Sequence, residues 1–138
     1  MLSAKAQVWA TDLDDPQLLQ RWKPAADTLG RAHYFAQYED ACRLSFPAGS
    51  FDLVYSISVI EHIPGRGDTE ALAEFHRVLK TGGTLVLETP YRRERKEIFA
   101  SYDSKGAPLA EPRFYERYYD AAWLDERLTI DGLRVEAR

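Results

Sequence analysis

Short apolar runs alternate with amphipathic stretches along this chain, and their order predicts strands joined by helices. Gln7 to Thr11 reads as a short strand ending in the acidic cluster Asp12, Asp14 and Asp15. Pro16 suits the first turn of a helix reaching about Trp22, with Asp14 or Asp15 as its cap, until Lys23-Pro24 interrupts it. His33 to Gln37 is a weaker strand leading into Glu39-Asp40, and Pro47 to Ser50 is a turn. Phe51 to Ile57 is a largely apolar run, the pattern of a parallel strand covered on both faces. Asp68 is placed to cap a helix over Thr69 to Lys80, whose Leu72, Phe75, Val78 and Leu79 form one stripe. Gly82-Gly83 then supplies a left-handed stop, and Thr84 to Thr89 is a second buried strand closed by Pro90.

Beyond Pro90 the pattern changes. Arg92 to Glu97 reads as a solvated charge run, and Ser101 to Pro112 as a polar connector. Phe114 to Leu128 has helical spacing, with Tyr118, Ala122 and Leu128 inward, and Leu133 to Ala137 reads as a last short strand. Strand, helix, glycine stop and strand between Phe51 and Thr89 make one βαβ crossover, the unit of a parallel α/β sheet.

At 138 residues the chain fits a single domain, with 45% hydrophobic and 29% charged residues. A net charge of -4 leaves no electrostatic footprint for nucleic acid or an anionic membrane. One cysteine, Cys42, excludes an internal disulfide framework and fits a cytoplasmic setting. No apolar run approaches the length of about 18 residues needed to span a bilayer.

In such a sheet the ligand lies beyond the carboxyl ends of the strands. Asp12, Asp40 and the Ser56-Ile57-Ser58 segment all stand at predicted strand ends. A carboxylate there can accept two charge-assisted hydrogen bonds from ribose hydroxyls. One followed by a small residue, as Asp40 by Ala41, can accept from an exocyclic amine beside a flat ring. Each acid could instead cap a turn; their register with the strand ends favours the ligand. The Glu61-His62 pair is the candidate for acid/base work or substrate contact, since an imidazole can take up or release a proton, with starting a loop or capping a turn as the alternative. The aromatic residues Phe114, Tyr115, Tyr118, Tyr119 and Trp123 read as core packing before substrate wall.

The segments Val8 to Asp12, Asp40 to Val54 and Leu72 to Leu87 together resemble class I S-adenosylmethionine-dependent methyltransferases of the type 11 kind. That resemblance implies a Rossmann-like α/β sheet with flanking helices, and S-adenosylmethionine as cofactor. It assigns cofactor contacts to Asp12, Leu13, Asp40, Ala41 and Ile57, and puts His62 nearest the transferred methyl. Some quinone-biosynthesis members hold a metal through a further acid three positions upstream of the Glu-His pair; Ser58 stands there, so no metal is expected. The family's first strand with its glycine-rich motif, and its last strand, have no counterpart here. The expectation is therefore one partial domain over residues 1–138, transferring methyl to a small-molecule acceptor as part of a larger enzyme. Open sheet edges would allow self-association. The rival readings are a non-catalytic remnant or partner subunit and, ranked lowest, a nicotinamide-dependent oxidoreductase.

Overall fold

The computed structural model describes residues 7–13 and 34–136. The expected helix from Pro16 to Trp22 lies outside the described residues. The chain divides into two compact units, Met1–Ser45 and Phe46–Arg138.

In the first unit, β1 (Val8–Asp12) pairs in parallel with β2 (Tyr34–Tyr38), Val8 opposite Tyr34 and Asp12 opposite Tyr38. Trp9 and Phe35 are cross-strand neighbours, and their rings stack at 4.5 Å and 21°. Such a pair adds about 0.5–1.5 kcal/mol beyond its buried area.

The second unit starts with β3 (Phe51–Ile57), a 3-10 turn (Ile60–His62), α1 (Gly67–Val78) and β4 (Leu79–Glu88), with β3 and β4 parallel. The core is built on α1, whose Ala71, Leu72, Phe75 and Val78 are buried together with Ile60, Leu79 and Tyr119. Three expectations are corrected here. The helix starts earlier than predicted, and its cap position is Arg66; Asp68 lies inside the first turn, fully buried. It ends at Val78, where Leu79 is already extended (φ -71, ψ 140). Gly82, left-handed at φ 80, therefore serves an irregularity inside β4, where Phe51 pairs with Leu79 but Leu53 with Thr84. Two residues along β3 thus match five along β4, and Gly83 lets the excess chain fold close against Asp52. Finally, β3 is covered on one face only. Leu53, Tyr55 and Ile57 are exposed, as is Val86 opposite Tyr55, while α1 packs against β4.

The remainder departs further from the sequence pattern. β5 (Lys96–Tyr102) and β6 (Pro108–Tyr118) form an antiparallel hairpin where a connector and half a helix were expected. Its turn is organised by Asp103, whose carboxylate accepts from the N–H groups of Lys105 and Ala107, with Gly106 at φ 81. Phe114 and Tyr118 share a face in either structure, since a spacing of four is nearly one helical turn and also an even number of strand residues. Only the partner strand decides between them. Tyr119 then bridges Tyr91, and the helix is reduced to α2 (Ala121–Arg127), capped by Asp120 through a 2.9 Å bond from Trp123 N–H. Residues 133–136 form no strand, and Ala137 lies outside the described residues. Three two-stranded ladders result, each hydrogen-bonded only within itself among the described residues.

Candidate functional site

Parallel strands end on the same edge, so β1 and β2 deliver their following residues to one side of the first unit. The ladder continues past the strands, Glu39 N–H donating to the Asp12 carbonyl at 3.0 Å. This keeps Asp12 and the turn that begins at Asp40 beside each other. Leu13 follows as an exposed bend. The Asp40 carboxylate accepts from Cys42 N–H at 2.8 Å and its carbonyl from Arg43 N–H at 2.9 Å, so the turn-capping role foreseen for this acid is real. Ala41 is half-buried in that turn. Glu39, which the sequence did not single out, is buried and accepts from Ser45 N–H at 2.7 Å, from the Ser45 hydroxyl and from the Gln37 amide. It ties the loop after β2 back onto the strand.

In the second unit Ile57 closes β3 with 51% of its surface exposed. Ser58 then takes φ 51, a left-handed conformation uncommon for a residue with a side chain, and turns the chain into the Ile60–His62 turn. This turn sends its two titratable residues in opposite directions. Glu61 is 2% exposed, with the Thr89 hydroxyl donating from 3.5 Å, and burial pushes its carboxyl above the ordinary value. His62 is exposed, its Nδ1 lies 2.8 Å from the Tyr115 carbonyl, and its ring meets that of Tyr115 edge-on at 5.4 Å. A carbonyl only accepts, so the neutral ring carries its proton on Nδ1 and keeps a lone pair on Nε2. The Glu-His pair is thus one interior carboxyl and one outward-facing base.

A buried ionic cluster pins this turn, and sequence reasoning missed it. Asp68 binds Arg127 through both carboxylate oxygens at 2.6 and 2.7 Å, lies 2.7 Å from Arg117 Nη1, and accepts from the Tyr119 hydroxyl at 2.9 Å. Arg117 also donates to the Ile63 carbonyl at 2.9 Å, and Arg127 to that of Gly65 at 2.5 Å. Burial alone would raise the Asp68 carboxyl, but hydrogen bonds from Arg127, Arg117 and Tyr119 hold it below the usual value. The Tyr119 hydroxyl is pushed up by burial and by the Asp68 charge. The sequence offers little local signal of it, since Arg117 follows Glu116 and Arg127 follows Asp125-Glu126, and both read as ordinary surface charge. Among the described residues no cluster of three or more His, Cys, Asp or Glu could hold a metal.

Residues 1–87 match the family model described as methyltransferase domain. A 2-methyl-6-phytyl-1,4-hydroquinone methyltransferase from Synechocystis is 41% identical over 61 residues, which are 44% of this chain and 18% of that protein. A demethylmenaquinone methyltransferase from Lactiplantibacillus plantarum is 29% identical over 128 residues, 91% of this chain and 53% of its own length. The chain thus spans about half of the latter relative and far less of the former. Among solved structures, the [4+2]-cyclase SpnF superposes with a TM-score of 0.64 at 22% identity, over 88% of this chain and 40% of that one. That likeness supports the Rossmann-like α/β fold and nothing about chemistry.

Proposed function

Because the chain belongs to the methyltransferase-domain family, we propose that residues 1–138 form one partial domain of an S-adenosylmethionine-dependent enzyme that methylates a small-molecule acceptor. The observation that carries this reading is the Glu39–Asp12 backbone bond, which keeps two acids on the carboxyl edge of one parallel pair. Asp12 accepts from the ribose hydroxyls of the cofactor, with Leu13 beside it. Asp40 accepts from the adenine amine, with Ala41 leaving room for the ring, and Ile57 offers an apolar surface to the nucleoside. Carboxylate acceptors and an exposed aliphatic side chain fit a nucleoside's hydroxyls and flat apolar faces.

When bound, the cofactor supplies a methyl group on a sulfonium, already a strong electrophile. The protein's own task is alignment, exclusion of water and removal of one proton. His62 Nε2 takes that proton from the acceptor hydroxyl or carbon acid, while Tyr115 holds the ring through Nδ1. The names of the two relatives make a quinol the first acceptor to try. A cytoplasmic setting goes with this reading; no helix among the described residues is long and apolar enough to cross a membrane.

Calorimetric titration with S-adenosylhomocysteine tests the proposal. Losing the charged acceptor in Asp12→Ala costs about 1.5–3 kcal/mol, roughly a tenfold to hundredfold weaker association. An unchanged affinity removes Asp12 from the site. A second reading, a non-catalytic subunit that pairs with another chain, is favoured by the edges that the β1–β2 and β3–β4 ladders leave open among the described residues. It predicts no cofactor binding and stable association with itself or a partner.

A further inference from the structure

We propose that the segment Arg92–Lys96, which leads from β4 into the first residue of β5, is a binding site for the phosphoryl group of a small molecule. Its five residues line a surface concavity of about 550 Å³. Four of them are cations and one, Glu94, is an anion, so three positive charges remain in excess on a chain of net charge -4.

The neighbouring acids do not neutralise this excess. Among the described residues none of Arg92, Arg93, Arg95 and Lys96 forms an ion pair, even with Glu94. Glu97 is turned towards Arg117 Nη2 at 3.8 Å. Glu116 accepts from the Tyr118 hydroxyl at 2.8 Å, and Asp120 caps α2.

Two of the cations are also held in place. The Arg92 guanidinium lies 4.3 Å from the centre of the Tyr118 ring, and that of Arg95 lies 5.1 Å from Trp123. The loop is tied to the end of β6 by Arg92 N–H donating to the Tyr119 carbonyl at 2.8 Å. Stacking occupies the face of a guanidinium and leaves its N–H donors pointing outward from the rim. Less side-chain freedom is then lost on capturing an anion. A single carboxylate accepts one such fork. Several donors around one concavity suit the multiple oxygens of a phosphoryl or diphosphoryl group.

The experiment is a titration of the full chain with inorganic pyrophosphate at low ionic strength, read by calorimetry and by Trp123 fluorescence. Saturable binding of one anion is expected, weakened by added salt and at least about tenfold weaker in the Arg92→Ala/Arg95→Ala double variant. Both side chains are exposed, so the variant should keep its circular dichroism spectrum. Trp123→Phe should lose the optical signal while retaining the heat. Asp12→Ala should bind pyrophosphate as the unaltered chain does, which separates this site from the cofactor reading. Absence of saturation, equal affinity in the double variant, or citrate binding as tightly as pyrophosphate overturns the proposal. So does tighter capture by phosphatidic acid vesicles than by pyrophosphate, which would point to a lipid surface.

Discussion

Asp68 draws α1, β6 and α2 together through a single carboxylate. Removing its charge leaves Arg117 and Arg127 buried against each other, an arrangement that typically costs about 3–5 kcal/mol. Asp68→Asn, which keeps the shape, should show that loss in urea denaturation near neutral pH. Its folded pKa is depressed below the ordinary 3.8. The stabilisation is therefore present above 3.8 and disappears as pH falls through the depressed value, so variant and parent should converge in strong acid. Glu61 has the opposite sign. Burial raises its carboxyl above the ordinary 4.5, so its contribution is full below 4.5 and is lost as pH rises through the folded value. Glu61→Gln should match the parent's melting temperature in acid and exceed it at neutral pH; a variant that melts lower at neutrality would contradict this. Neither carboxylate's environment was legible in the sequence. Asp68 looked like a helix cap because its partner Arg127 stands 59 positions away, and nothing local reports such a contact.

At the scale of elements, the α1–β4 junction shows how a correct pattern can carry a wrong boundary. The apolar stripe identified the helix, while the glycines read as its stop lie inside the following strand. The left-handed Gly82 stands four residues beyond the helix end at Val78, because pairing with β3 captures Leu79 first. Gly83 is needed there for space. A Cβ at that position would stand 2.9 Å from the Lys80 carbonyl oxygen, 3.2 Å from that of Asp52 and 3.0 Å from Leu79 Cδ2. Two of these obstacles are backbone and cannot swing away, so Gly83→Ala should cost about 1–3 kcal/mol, read as a lower melting temperature. A melt equal to the parent's would show that β4 relaxes freely at its irregularity. The hairpin went unread for another reason. Both strands carry charged residues and the second carries Pro108 and Pro112, and the even spacing of Phe114, Tyr118 and Ala122 satisfies a helix as readily as a strand. Pairing with residues 96–102 is a non-local fact.

At the scale of the molecule, the proposed contact at Ile57 can be tested apart from those at Asp12 and Asp40. Ile57 is exposed, so Ile57→Asp should leave the fold intact. It should nevertheless weaken S-adenosylhomocysteine binding about tenfold or more by replacing an apolar surface with a charge. Affinity equal to the parent's would remove Ile57 from the assignment even if Asp12 stays. By itself the sequence determined the parallel β3–α1–β4 crossover, both strands of the first unit and the family. Each rests on a local apolar period or a short contiguous motif. Only the tertiary structure decided that Asp68 is a buried ionic hub, that Glu61 and His62 face opposite ways, and that residues 96–118 are a hairpin. Those outcomes depend on partners distant in the chain, and burial and strand pairing are properties of such partners rather than of any window of residues.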